Sequence, residues 1–121
     1  MTDIIQDPEM GAENFTILRR RMILSDGEAE YDETETIAVS GAVHPAKEEE
    51  LSLLPEEYRT QTVMTFYAPV RFSLGSRTDA VRFTEPDRIR YGGREFLVIS
   101  VKDWMAFGFS RAIAVEKTCG L

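Results

Sequence analysis

A chain of 121 residues with 43% hydrophobic and 29% charged content is one ordinary globular domain, long enough to bury a real core. Its net charge of −7 argues against a protein that grips nucleic acid by neutralising phosphates, although it leaves room for one that DNA passes without sticking. The single cysteine, Cys119, excludes an internal disulfide, no apolar run approaches the ~18 residues of a membrane helix, and Met1-Thr2-Asp3-Ile4 lacks the basic start of a signal peptide. The expectation is a soluble, intracellular protein with no membrane contact.

Residues 1–14 are polar and acidic, with Pro8 and Gly11, and read as a poorly ordered N-terminal arm. A single β domain is expected over 15–117, followed by a short tail, 118–121. The first strand is expected over 15–24, its alternation interrupted by Arg19-Arg20-Arg21. Ser25-Asp26-Gly27 supplies turn chemistry. Five acids (Glu28, Glu30, Asp32, Glu33 and Glu35) then fall among eight positions, as suits an exposed loop or strand end. A second strand over 34–43 alternates Ile37, Val39 and Val43 on one face with Thr36, Ser40 and Ala42 on the other.

His44-Pro45-Ala46 ends that strand, and Pro45 suits a helix start. Residues 47–54 read as a short helix whose Leu51 and Leu54, with Tyr58, share one face. So short a helix is unstable alone and must dock on the sheet. Pro55 limits it, and Arg59 is expected to pair with a nearby acid and fix the exit. A third strand over 61–74 places Met64, Phe66, Ala68, Val70, Phe72 and Leu74 on one apolar face, with Thr65, Tyr67, Arg71 and Ser73 opposite. Pro69 cannot donate to a ladder, so this strand is an edge or is bent there.

Residues 75–86 form a polar connection. The most informative stretch follows: a short strand from Asp87, a Gly92-Gly93 turn, a long strand over 94–101, a turn beginning at Asp103, and a last strand over 105–116. Gly92 and Gly93 suit a two-residue hairpin turn because both central residues can take positive φ cheaply. Phe96 and Val98 on one face, with Leu97, Ile99 and Val101 on the other, mark a strand buried on both sides. Phe107, Phe109, Ile113 and Val115 share a side of the last strand. The fold class expected is all-β: a small barrel or sandwich of about six mostly antiparallel strands, with one short helix inserted near 46–58.

The residues offer little chemistry. His44 is the only histidine, no G-x-S-x-G is present, and Cys119 lies on the tail, so no catalytic residue is assigned. Glu48-Glu49-Glu50 point in different directions on a helix and read as a solvated helix start, not a metal site. Gly92-Gly93 lacks the third glycine and the helix of a phosphate cradle. No cofactor or metal is expected. Arg19, Arg20 and Arg21 face a partner or pair with the chain's own acids. Trp104 caps the barrel end or anchors a partner.

A strand ending in Gly41-Ala42-Val43-His44-Pro45-Ala46 precedes the helix with Leu53-Leu54-Pro55-Glu56-Glu57-Tyr58-Arg59. A long strand follows, then Asp87-x-Ile89-x-Tyr91-x-Gly93-x-x-Phe96-x-Val98 leading to Asp103-Trp104. Over 15–116 this order resembles the head-closure, or head–tail connector, proteins of bacteriophage and prophage necks. Glu57 departs from the glycine usual at its position in that family.

The resemblance implies a non-enzymatic virion protein that assembles in the host cytoplasm. It would form a ring with copies of itself, contact the portal or adaptor protein on one side and a tail-terminator or tail-tube protein on the other, and lie close to packaged DNA. In such an assembly, the residues read above as candidates for interface roles are Arg19, Arg20, Arg21, Glu28, Glu30, Asp32, Glu33 and Trp104. The acidic run would face the lumen or a partner, and 75–86 a subunit contact. A tail-terminator protein and a host β-barrel that binds a small ligand or peptide are the alternatives.

Overall fold

In the computed structural model, which describes residues 12–58, 60–77 and 80–117 (12, 31 and 32 as backbone only), eight strands form one antiparallel sheet. The strands are β1 (Ala12–Ser25), β2 (Glu28–Pro45), β3 (Val63–Ala68), β4 (Ser76–Arg77), β5 (Arg82–Thr84), β6 (Arg88–Tyr91), β7 (Arg94–Trp104) and β8 (Phe109–Lys117). A one-turn helix, α1 (Glu48–Leu51), sits between β2 and β3. The order β2-β3-β8-β7-β6-β1, with β1 pairing back to β2, closes a six-stranded barrel. The all-β barrel with a short inserted helix expected from the sequence is the architecture observed.

Local chemistry explains the hairpins. Asp26 and Gly27 adopt φ of 52° and 80°, and Gly92 and Gly93 of 59° and 79°, the paired positive values that let a two-residue turn match strand twist. Phe66, on β3, lies at the centre of the barrel and meets Phe15, Tyr91 and Phe96 edge-on at centroid distances of 5.2, 5.8 and 5.5 Å. Ile17, Ile89, Val98, Ala112 and Ala114 complete an interior filled by side chains. The alanines of β8 make room for the rings.

Outside the barrel, Ile113, Val115 and Val63 are covered by Leu54, with Leu51 and Tyr58 packed against them. This is why β8 is buried on both faces. A ladder shift between Val98 and Ser100 leaves Ile99 without an opposite residue, so Phe96, Val98 and Val101 all reach the inner cluster while Leu97 and Ile99 stay outside.

Several boundaries differ from the sequence reading. β1 begins at Ala12, inside the stretch read as an arm, because the ladder with β2 already holds Ala12 opposite Ala42. Of the loop or strand end expected for the acidic run, the strand is observed: residues 28–35 belong to β2, paired to β1 up to the Asp-Gly turn. β3 stops at Ala68, since Pro69 has no N–H to donate, yet Val70 and Phe72 still pack on the core. Leu74, expected on that apolar face, is exposed.

Residues 75–86 contain β4 and β5 and are not simply a connection. β7 continues to Trp104, and Met105–Phe107 form a 3₁₀ turn closed by Gly108 at φ 92°. Phe107 therefore leaves the β8 face and is 79% exposed. The expected pairing of Arg59, Cys119 and the tail, and residues 1–11 of the arm lie outside the described residues.

Candidate interaction surfaces

The barrel has an extension. Beyond the point where β6 leaves it, β1 pairs instead with β5 through Arg21–Thr84, Met22–Phe83 and Ile23–Arg82, and β5 pairs with β4. A four-stranded sheet, β2-β1-β5-β4, thus projects from the barrel and ends at the Asp26-Gly27 turn. Among the described residues, 28–41 of β2 have ladder partners only on β1, because β3 joins at Ala42. Where β3 joins, the backbones pack closely: a Cβ at Gly41 would overlap the carbonyl oxygen of Tyr67.

The arginine run and the acidic run, separate features in the sequence, are cross-strand neighbours. Arg19 lies opposite Glu35, Arg20 opposite Thr34 and Arg21 opposite Glu33. Arg21 Nη1 donates to Glu33 Oε1 at 2.9 Å on an exposed face. A bulge makes Asp32 the extra residue between Glu33 and Tyr31. Glu28 and Glu30 are exposed near the tip.

Arg19 has a different task. Its Nε and Nη2 donate to Asp87 Oδ1 and Oδ2 at 2.9 and 2.8 Å, and Nη2 also reaches the Arg71 carbonyl at 2.9 Å. Asp87 is 0% exposed and also accepts the Ser73 N–H at 2.8 Å. The hydrogen bond to Asp87 raises the Arg19 pKa above its ordinary value; burial opposes this, and the charges of Asp87 and Glu35 add to it. This clamp ties β1 to the segment before β4 and to the start of β6. Arg20 points to the other face of β1 from Arg19 and Arg21, so the three arginines do not form one patch.

Trp104 closes an aromatic row on the outer surface. His44 and Tyr67 lie 5.6 Å apart, Tyr67 and Phe109 6.0 Å, and Phe109 and Trp104 5.5 Å. The Arg111 guanidinium sits 5.4 Å and Lys102 Nζ 5.9 Å from the Trp104 ring, within cation–π range. Half-buried Trp, Tyr and Arg in one row are the residue types that anchor protein interfaces.

Two features escaped the sequence reading. Glu50 is buried, not solvated: its Oε1 accepts the Lys47 N–H at 2.8 Å and the Thr65 hydroxyl at 3.1 Å, and Arg111 Nη1 lies 3.7 Å from Oε2. A helical acid at N3 preceding a docked leucine was the available signal. Asp103 starts a turn as expected, accepting the Met105 N–H on Oδ1; what escaped is its pairing with Arg71, whose Nε donates to Oδ2. Among the described residues no three His, Cys, Asp or Glu side chains gather as metal ligands, and no helix is long and apolar enough to cross a membrane. Compared with known proteins, the chain matches no family model and no curated protein.

Proposed function

We propose that this chain is a structural, non-enzymatic protein of a tailed-phage neck. It forms a ring with copies of itself, joins the portal or adaptor to the tail, and helps close the DNA channel after packaging. The observation that carries the reading is a barrel whose interior is filled by Phe15, Phe66, Phe96 and Val98, bearing a long charged β-extension outside it. A filled barrel offers partners its surfaces and not a lumen, which weighs against a barrel that stores a small ligand. The resemblance in element order over 15–116 supplies the identity of those partners: portal or adaptor on one side, tail-terminator or tail-tube protein on the other.

The charge supports the same assignment. A net −7 repels a DNA backbone, so packaged DNA runs close by without being gripped. The protein would be found in the virion neck, and in the host cytoplasm during assembly. The test is electron microscopy of particles from a source phage or prophage lacking this gene. Unattached tails beside emptied or leaking heads are expected; normal infectious tailed particles would overturn the reading. Binding to isolated tail-tube protein without any portal would move the assignment to a tail terminator.

A further inference from the structure

We propose that neighbouring copies of this chain join through the two open edges of the β2-β1-β5-β4 sheet, the acidic β2 edge of one receiving the basic β4 edge of the next. This deepens the ring assembly of the preceding section and rests on it for its biological setting only. Both edges are unfilled in the described chain. Residues 28–41 of β2 pair only with β1, and β4 pairs only with β5. Such edges carry outward N–H and C=O groups that template another strand.

Strand direction selects the geometry. All three internal pairings are antiparallel, so the outer strands of this four-stranded sheet run in opposite directions. A second copy in the same orientation therefore brings its β4 antiparallel to the first copy's β2, with no inversion of the molecule. A contact between two different edges is heterologous, the kind that closes into rings when the rotation allows.

Charge selects the same pairing. Glu28 and Glu30 lie exposed on the β2 edge strand, whereas Arg77 and Arg82 lie exposed on β4 and β5. Two β2 edges repel one another, which disfavours the symmetric dimer an open edge would otherwise allow; β2 against β4 is attractive. Leu74, two residues before β4, and Val81, just before β5, are both exposed and add apolar area near that edge. The ladder is short, two residues on the β4 side, so side-chain charge carries much of the selectivity.

The test uses the full chain with two charge-reversed variants, E28K/E30K and R77E/R82E, each checked for folding by circular dichroism. R77E alone is held in reserve, because among the described residues the Arg77 side chain makes only a long 3.4 Å bond to the Ala80 carbonyl. In sedimentation velocity up to about 1 mM, the unaltered chain is expected to gain mass with concentration. Each variant alone should associate at least about tenfold more weakly. Mixing the two should restore association, since each reversed edge meets its complement.

Three results would overturn the proposal: an unaltered chain that is monomeric throughout, a folded variant that associates as the parent does, or a mixture that fails to recover. The neck assignment stands or falls separately. Detached tails after gene deletion together with a monomeric chain would keep the neck and remove the edge contact.

Discussion

Asp87 is a carboxylate taken wholly out of water, and its surroundings show what that requires. Two guanidinium N–H groups of Arg19 and the Ser73 amide replace its hydration, in a bidentate geometry that only arginine supplies. Removing one partner of such a pair leaves the other charge buried and alone. Arg19→Met, which keeps the apolar stem, is expected to lower unfolding free energy by about 3–5 kcal/mol. Adding Asp87→Leu should recover most of that loss, because the uncompensated charge disappears. Urea denaturation of both singles and the double checks it; purely additive losses would show that the two side chains are not coupled. Arg21–Glu33, with both side chains more than half exposed, is a pair of the kind that contributes little. Adjacent arginines that look equivalent in the sequence thus differ sharply in energetic weight.

At the scale of elements, the β7–β8 connection shows how a few hydrogen bonds move a strand boundary. Asp103 holds the Met105 N–H and Arg71 Nε, which draws residues 105–107 into a 3₁₀ turn and delays β8 to Phe109. The backbone bond from Met105 and then the hydrogen bond from Arg71 keep its carboxyl below the usual range; desolvation opposes them, and the charge of Arg71 adds the smallest share. A depressed folded-state pKa contributes stability that is present above the unfolded value, about 3.9, and lost as pH falls through the folded one. The turn is therefore expected to hold at neutral pH and to loosen only in acid. An NMR titration should find the Asp103 carboxyl carbon titrating below a model peptide, with the Met105 amide shift following it. An Asp103 carboxyl that titrates normally would refute this. α1 teaches a related lesson: one turn of helix persists because Leu51 and Leu54 cover Ile113 and Val115, not through its own propensity.

Over the whole molecule, protection follows neighbours. β3, β8 and the first part of β7 (94–97) have hydrogen-bonded strands on both edges, and the helix segment covers outer apolar side chains of these strands. Among the described residues, 28–41 of β2 have a partner on one edge only. Amide hydrogen exchange in dilute solution should be slowest in β3, β8 and residues 94–97 of β7, and fastest at alternate amides of the β2 projection. Equal protection across β2 and β8 would contradict an open edge. Local rules made much of this architecture legible in the sequence. Asp26-Gly27 and Gly92-Gly93 specify turns because only small or flexible residues adopt paired positive φ cheaply. Pro69 ends a ladder because it has no N–H. Apolar residues on both faces of the Phe96–Val101 stretch require a strand covered on both sides.

Those signals determine an all-β meander with a helix that must dock, and the sequence by itself carries that far. Tertiary structure alone decided which charges are buried and which are displayed. Arg19 meets Asp87 across 68 positions, and Glu50 meets Thr65 across 15, only because the barrel closes. Alternation divides a strand's residues between two faces, but closure determines what each face meets. For the same reason the Glu28–Glu35 run, which alone suits a loop or a strand end equally, is a strand because β1 lies beside it with Arg21 opposite Glu33.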